Sequence, residues 1–254
     1  MLAHVLEVAI APLLVGLASL VAVRFGPRAG GLVSAFPAIV GPFLLLSADR
    51  HGAGFAADAA EGTLLGLVSF AGFVVAYAWT ATVATWPVSL LVAWAVTAGV
   101  TAALTPVQLP AGWSLLVCAV ALVAAHRALP RLPARLPQPP PWWDVPLRMV
   151  LCAALVVLLA VVADQLGSGV GGLLAALPVL ASILAGFTHH DDGAGAVVAL
   201  LRGMLEGTGA FVALCVVVAL AIQPWGIALA FAAAIGAAIV ADLVTGRLLR
   251  SATL

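Results

Sequence analysis

The chain of 254 residues is 65% hydrophobic and 8% charged, and its ten basic residues, all arginine, balance ten acids. A net charge of zero offers no electrostatic footprint for nucleic acid, and the apolar runs are continuous rather than alternating, which argues against a lipid-spanning barrel. What remains is an all-α integral membrane protein, because roughly 20 apolar residues of helix cross about 30 Å of hydrocarbon while satisfying their own backbone.

In chain order the expected spans are Val5 to Val23, Gly30 to Ser47, Ala56 to Ala81, Val88 to Leu104 and Trp113 to Leu129. After a linker come Leu147 to Ala163, Val170 to Phe187, Ala196 to Ile222 and Gly226 to Leu249, which makes nine. The first span is expected to be a transmembrane helix rather than a secretory signal, because His4 and Glu7 are the only ionisable side chains before Arg24 and a basic leading region is missing. The linker, Pro130 to Pro146, is too rich in proline to be helical, and Trp142-Trp143 at its end suit a membrane interface. Cys118, Cys152 and Cys215 each sit inside an apolar run without metal or redox spacing and read as packing residues.

One stretch occurs twice. Gly26-Pro-Arg-Ala-Gly30-Gly31-Leu32, Pro37, Gly52-Ala53-Gly54 and Gly62-x-x-x-Gly66 return as Gly167, Gly171-Gly172-Leu173, Pro178, Gly193-Ala194-Gly195 and Gly203-x-x-x-Gly207, at a constant offset of 141 (167 − 26, 207 − 66). This register marks an internal duplication. The unit is four helices, with Trp86-Pro87 and Pro224-Trp225 at the turn before the last one. The fifth span has no partner, and one odd helix between two such units inverts the second, an arrangement on which many secondary transporters are built. The expected division is therefore 1–108 for the first unit, 109–146 for the extra helix and linker, and 147–254 for the second unit. Counting sides through nine spans puts Arg24, Arg28, Arg127, Arg131, Arg135, Arg148, Arg247 and Arg250 together, with Arg50 opposite and Arg202 within a helix. The positive-inside rule then sets the N-terminus outside and the C-terminus in the cytoplasm.

The segment Gly30-Gly-Leu-Val-Ser-Ala-Phe-Pro37, with the polar loop Ser47 to Gly54, resembles the GlpM-like family of small bacterial inner-membrane proteins, and Gly171-Gly-Leu-Leu-Ala-Ala-Leu-Pro178 resembles it again. Members of that family are four-helix proteins. The resemblance implies a fused pair in a bacterial inner membrane, and its one association, exopolysaccharide production, implies an alternative role as a non-transporting accessory subunit of a cell-envelope machine. It supplies no catalytic residue.

Several residues are candidates for chemistry. Pro37 and Pro178 fall near the middle of their spans, where a proline frees the carbonyl four residues back, Val33 and Leu174, as Pro42 frees Ala38. They read either as broken helices lining a central site or as kinks for packing. Arg202 and Glu206, four apart, share a helix face and are expected to pair, with Glu206 about 15 Å deep if its helix starts near Ala196. Ionisable groups at that depth suggest a proton relay or substrate counter-charge, against a self-neutralising structural pair. Glu61, one repeat before Arg202, and Asp58 on the same helix suggest a contact between units. The Gly-x-x-x-Gly motifs are expected to bring the units together.

His189-His190-Asp191-Asp192, with Asp49 and His51 in the corresponding loop, read as gate or metal residues, although adjacent residues rarely face one ion. Capping of the next helix by Asp191 and Asp192 is the competing reading. Glu7, Asp164 and Asp242 lie near helix ends and read as interfacial. No nucleophile elbow, Walker loop or paired carboxylate motif is present, so neither an enzyme nor a cofactor is expected. The expected partners are membrane lipid and a small solute or ion, with proton coupling and a homo-oligomer both left open.

Overall fold

The apolar stretches among the described residues form helices in the computed structural model, which describes residues 2–37, 40–106, 111–133, 141–158 and 178–251. The helices are α1 (Leu2–Phe25), α2 (Pro27–Ser34), α3 (Val40–His51), α4 (Ala53–Thr80), α5 (Trp86–Leu104) and α6 (Ala111–Ala128). They are followed by α7, helical over 144–158, and by α8 (Val179–Ser251). No strand occurs among the described residues.

By length and composition α4, α5 and Val179–Thr245 of α8 are apolar enough to cross a membrane, while Ala11–Phe25 and Gly112–Ala128 are shorter apolar stretches. The chain thus has the make-up of a helical membrane protein, but the nine expected spans do not stand out as nine long helices. One reason lies in the second span. Phe36 N–H donates to the Val33 carbonyl (3.3 Å), Ser34 Oγ donates to the Gly31 carbonyl (2.7 Å), and the chain turns at Pro37 before α3 begins. The span is therefore two short helices, and Val33's carbonyl is capped rather than free. Ala38 and Leu174 lie outside the described residues, as do 170–177 of the expected seventh span.

The other reason is that α8 runs through three expected spans with only two glycine breaks. Gly193 (φ 83°, ψ −177°) and Gly226 (φ 75°, ψ 168°) adopt a backbone region open essentially to glycine. Gly52, between α3 and α4, adopts the same conformation (φ 90°, ψ 169°), one repeat offset before Gly193. The second break has a counterpart too, since Thr85, the residue capping α5, precedes Gly226 by the same 141. The proline linker is non-helical at 130–133 and 141, but α7 already starts at Asp144.

Two buried apolar clusters hold the bundle. One gathers Val15, Phe73, Tyr77, Leu184 and Leu201 from α1, α4 and α8, and the other joins Leu44, Leu64, Cys118, Cys215 and Ile222. All three cysteines are buried and unpaired, as packing residues are. Because lipid tails are as apolar as these side chains, close packing and hydrogen bonds rather than water exclusion drive association within a bilayer. Accordingly Trp94 donates to Ser182 Oγ (2.8 Å) and Thr101 to Ser69 Oγ (2.9 Å), each across two helices.

Candidate functional site

Small residues bring α2 deep into the bundle. A methyl group on Gly30 would stand 2.6 Å from the Ala18 carbonyl oxygen and Ala22 Cβ of α1. On the other face Gly203 lies against the Arg28 backbone, Gly31 against Leu200, and a methyl on Gly207 would reach the Leu32 carbonyl and Ala35 Cβ at 2.7 Å. The motif Gly203-x-x-x-Gly207 thus joins the two halves of the chain. Gly62 and Gly66 meet nothing within 4 Å among the described residues.

This close approach sets the charges. Arg28 donates through Nε to Glu206 Oε2 (2.7 Å) and through Nη2 to Oε1 (2.5 Å), a two-pronged geometry that matches guanidinium to carboxylate. Glu206 is nearly buried, at 9% side-chain exposure, while Arg28 is 39% exposed. The expected Arg202–Glu206 pair is not formed. Arg202 instead points to the end of α6, with Nη1 3.5 Å from the His126 carbonyl and Nη2 3.4 Å from those of Leu129 and Pro130. A cation there complements the negative end of a helix. Sharing a face permits a contact but does not compel it, and each side chain found a better partner on another helix.

Arg28 is the second residue of α2, and Arg202, one turn before Glu206, is level with the end of α6. The pair therefore joins the start of α2 to α8 beside the end of α6.

A second ionic group ties α7 to α8. Arg148 Nε stands 2.8 Å from Asp144 Oδ2, a charge contact without hydrogen-bond alignment, and Nη2 donates to Asp191 Oδ2 (3.0 Å). The Arg148 guanidinium also lies over the Phe187 ring, 4.8 Å from its centroid. His190 Nδ1 is 2.8 Å from Asp191 Oδ1, whereas His189 packs edge-on to Tyr77, with Nδ1 3.5 Å from the hydroxyl. His189 and the His190–Asp191 pair thus turn to different partners, and Asp191 binds Arg148. Among the described residues no three His, Cys, Asp or Glu side chains gather where a metal ion could bind.

The remaining candidates are spread along the bundle. Asp49, His51 and Asp58 are exposed and Glu61 is half-buried; the suggested Glu61–Arg202 contact is not formed. His51 stacks on Phe55 (4.7 Å between centroids). Pro178 caps the start of α8, its carbonyl accepting from Ser182 N–H (2.8 Å) and Oγ (2.9 Å). His51 precedes α4, while His189 touches Tyr77, 24 residues (77 − 53) beyond the first residue of that helix. At 1.5 Å per residue the two matching loops lie about 36 Å apart, at opposite ends of α4.

Sequence reasoning missed Arg28, Arg148 and Asp144 as site residues. Arg148 and Asp144 carried a legible signal, an acid and a base four apart at a helix start; Arg28 stood within the repeated motif but with no spacing clue to its partner. Comparison with known proteins gives no match among protein-family models, curated proteins or solved structures.

Proposed function

We propose that the chain is a small bacterial secondary transporter, or a channel-like permeation protein, moving a small solute or ion along the interface of two inverted four-helix repeats. In this reading α2 and α3 form one broken span and the three segments of α8 count separately. The chain then crosses the inner membrane nine times, with the N-terminus outside and the C-terminus cytoplasmic. The positions of Gly52 and Gly193 support it, since matching breaks at opposite ends of α4 are what inversion of a repeat produces. The GlpM-like segments fit the same plan as a fused pair.

The observation that carries the reading is the Arg28–Glu206 pair, held between the two units at the foot of a helix broken at Pro37. A nearly buried carboxylate in a membrane bundle is costly to keep without a task. Here it can lock the units together, and releasing it to a proton or a bound cation frees them to rock. The test is a thermal-shift screen of detergent-purified protein across pH, sodium, potassium, magnesium, chloride, phosphate, acetate, glutamate and choline, with Glu206→Gln alongside. A solute that stabilises the native protein but not the variant supports a site at the pair; equal stabilisation of both sinks that assignment.

A further inference from the structure

Between α5, α7 and the first segment of α8 runs a cavity of about 560 Å³, well within the range of roughly 300–1,000 Å³ that holds small ligands. Its walls are apolar, and it extends lengthwise: from Trp86 to Trp94 on α5 and from Leu151 to Leu158 on α7. Eight residues of helix make a slot about 12 Å long. At the deep end the polar groups satisfy one another, since Trp94 Nε1 donates to Ser182 Oγ, which donates to the Pro178 carbonyl. Nothing there asks for a polar ligand, and a hydrocarbon would leave no hydrogen bond broken.

The mouth is different. His190 lies exposed at that end, bonded to Asp191, which in turn holds Arg148 above Phe187. Trp86 stands beside it, and tryptophans favour the level of lipid headgroups. Arg148 itself is buried between Asp144 and Asp191, so what the mouth presents is the exposed His190 beside Asp191, one basic and one acidic group that complement a zwitterion better than a net anion.

We infer that this slot binds one acyl chain of a zwitterionic phospholipid, whose headgroup rests at His190 and Asp191. The chain lies along α7 and the headgroup phosphate and amine face the basic and acidic groups of the mouth. The inference requires only that the bundle sits in a bilayer, and it stands apart from the transport reading.

Trp94 supplies the probe. A variant keeping Trp94 alone, with Trp79, Trp86, Trp113, Trp142, Trp143 and Trp225 replaced by Phe, is reconstituted in vesicles whose phosphatidylethanolamine carries brominated acyl chains, a contact quencher of indole fluorescence. The expected result is at least a twofold loss of Trp94 emission, relieved when Ala154→Phe fills the slot wall, and also by Gly186→Leu, opposite Trp86 (3.7 Å from a Cβ at 186). Unquenched Trp94 beside a quenched Trp113-only control would overturn the inference, because the slot is then closed or filled by the protein itself. Quenching that both fillings leave unchanged would also overturn it, as contact with bulk lipid. Equal quenching by brominated phosphatidylglycerol would overturn the headgroup assignment.

Discussion

Arg28 and Glu206, 178 residues apart in sequence, meet through two hydrogen bonds of 2.7 and 2.5 Å. Their burial is unequal, 39% against 9% side-chain exposure, and this makes the two deletions unequal. Arg28→Ala strands a carboxylate that water scarcely reaches, at a cost of about 2–4 kcal/mol. Glu206→Gln leaves an arginine that can rehydrate and keeps one neutral acceptor, at a cost of about 1–2 kcal/mol. Melting curves of both variants in detergent check the order; Glu206→Gln the less stable of the two would mean the pair is not the contact described.

The breaks and the small-residue contacts were legible in the sequence, and the charge partners were not. Gly52, Gly193 and Pro37 announce themselves because backbone conformation is a local property, and Gly203 and Gly207 do so through their spacing. Ion pairs depend on which helices become neighbours. The four-residue spacing of Arg202 and Glu206 therefore pointed to a bond that tertiary packing redirected, to Arg28 on one side and to the carbonyls ending α6 on the other.

The two Gly-x-x-x-Gly motifs differ in what surrounds them. Gly207→Ala would drive a methyl to 2.7 Å from the Leu32 carbonyl oxygen, which costs about 1–3 kcal/mol of overpacking. Gly66→Ala meets nothing within 4 Å among the described residues and gains helix propensity of up to about 1 kcal/mol. Thermal denaturation of the two variants is expected to fall for the first and to hold or rise for the second.

Arg148 provides a similar contrast. Its partner Asp144 is 5% exposed and Asp191 is 37% exposed. Asp144→Ala leaves a buried guanidinium with one screened partner and is expected to cost about 2–4 kcal/mol, whereas Asp191→Ala is expected to cost about 1 kcal/mol. Hydrogen exchange at the start of α7 reads the difference, and faster exchange in the Asp191 variant than in the Asp144 variant would contradict it.

The proposed inversion of the repeats makes a prediction about sidedness. His51 and His190 are both exposed, and the loops that carry them lie at opposite ends of α4. The native cysteines are buried, so single His51→Cys and His190→Cys variants report without interference. In intact cells a membrane-impermeant maleimide is expected to label the first and to spare the second until the membrane is opened. Labelling of both from outside would rule out the inverted arrangement.

The central claim is permeation controlled by Glu206, and it is tested most directly by flux. Purified protein in proteoliposomes is stepped through sodium, potassium, chloride, phosphate, acetate, glutamate, choline and pH gradients, with capacitive currents and an entrapped pH dye read together. At least one gradient is expected to give a signal absent from protein-free vesicles, reduced at least tenfold in Glu206→Gln while that variant still melts cooperatively. A full signal from Glu206→Gln, or silence of the native protein in every gradient, would contradict the account.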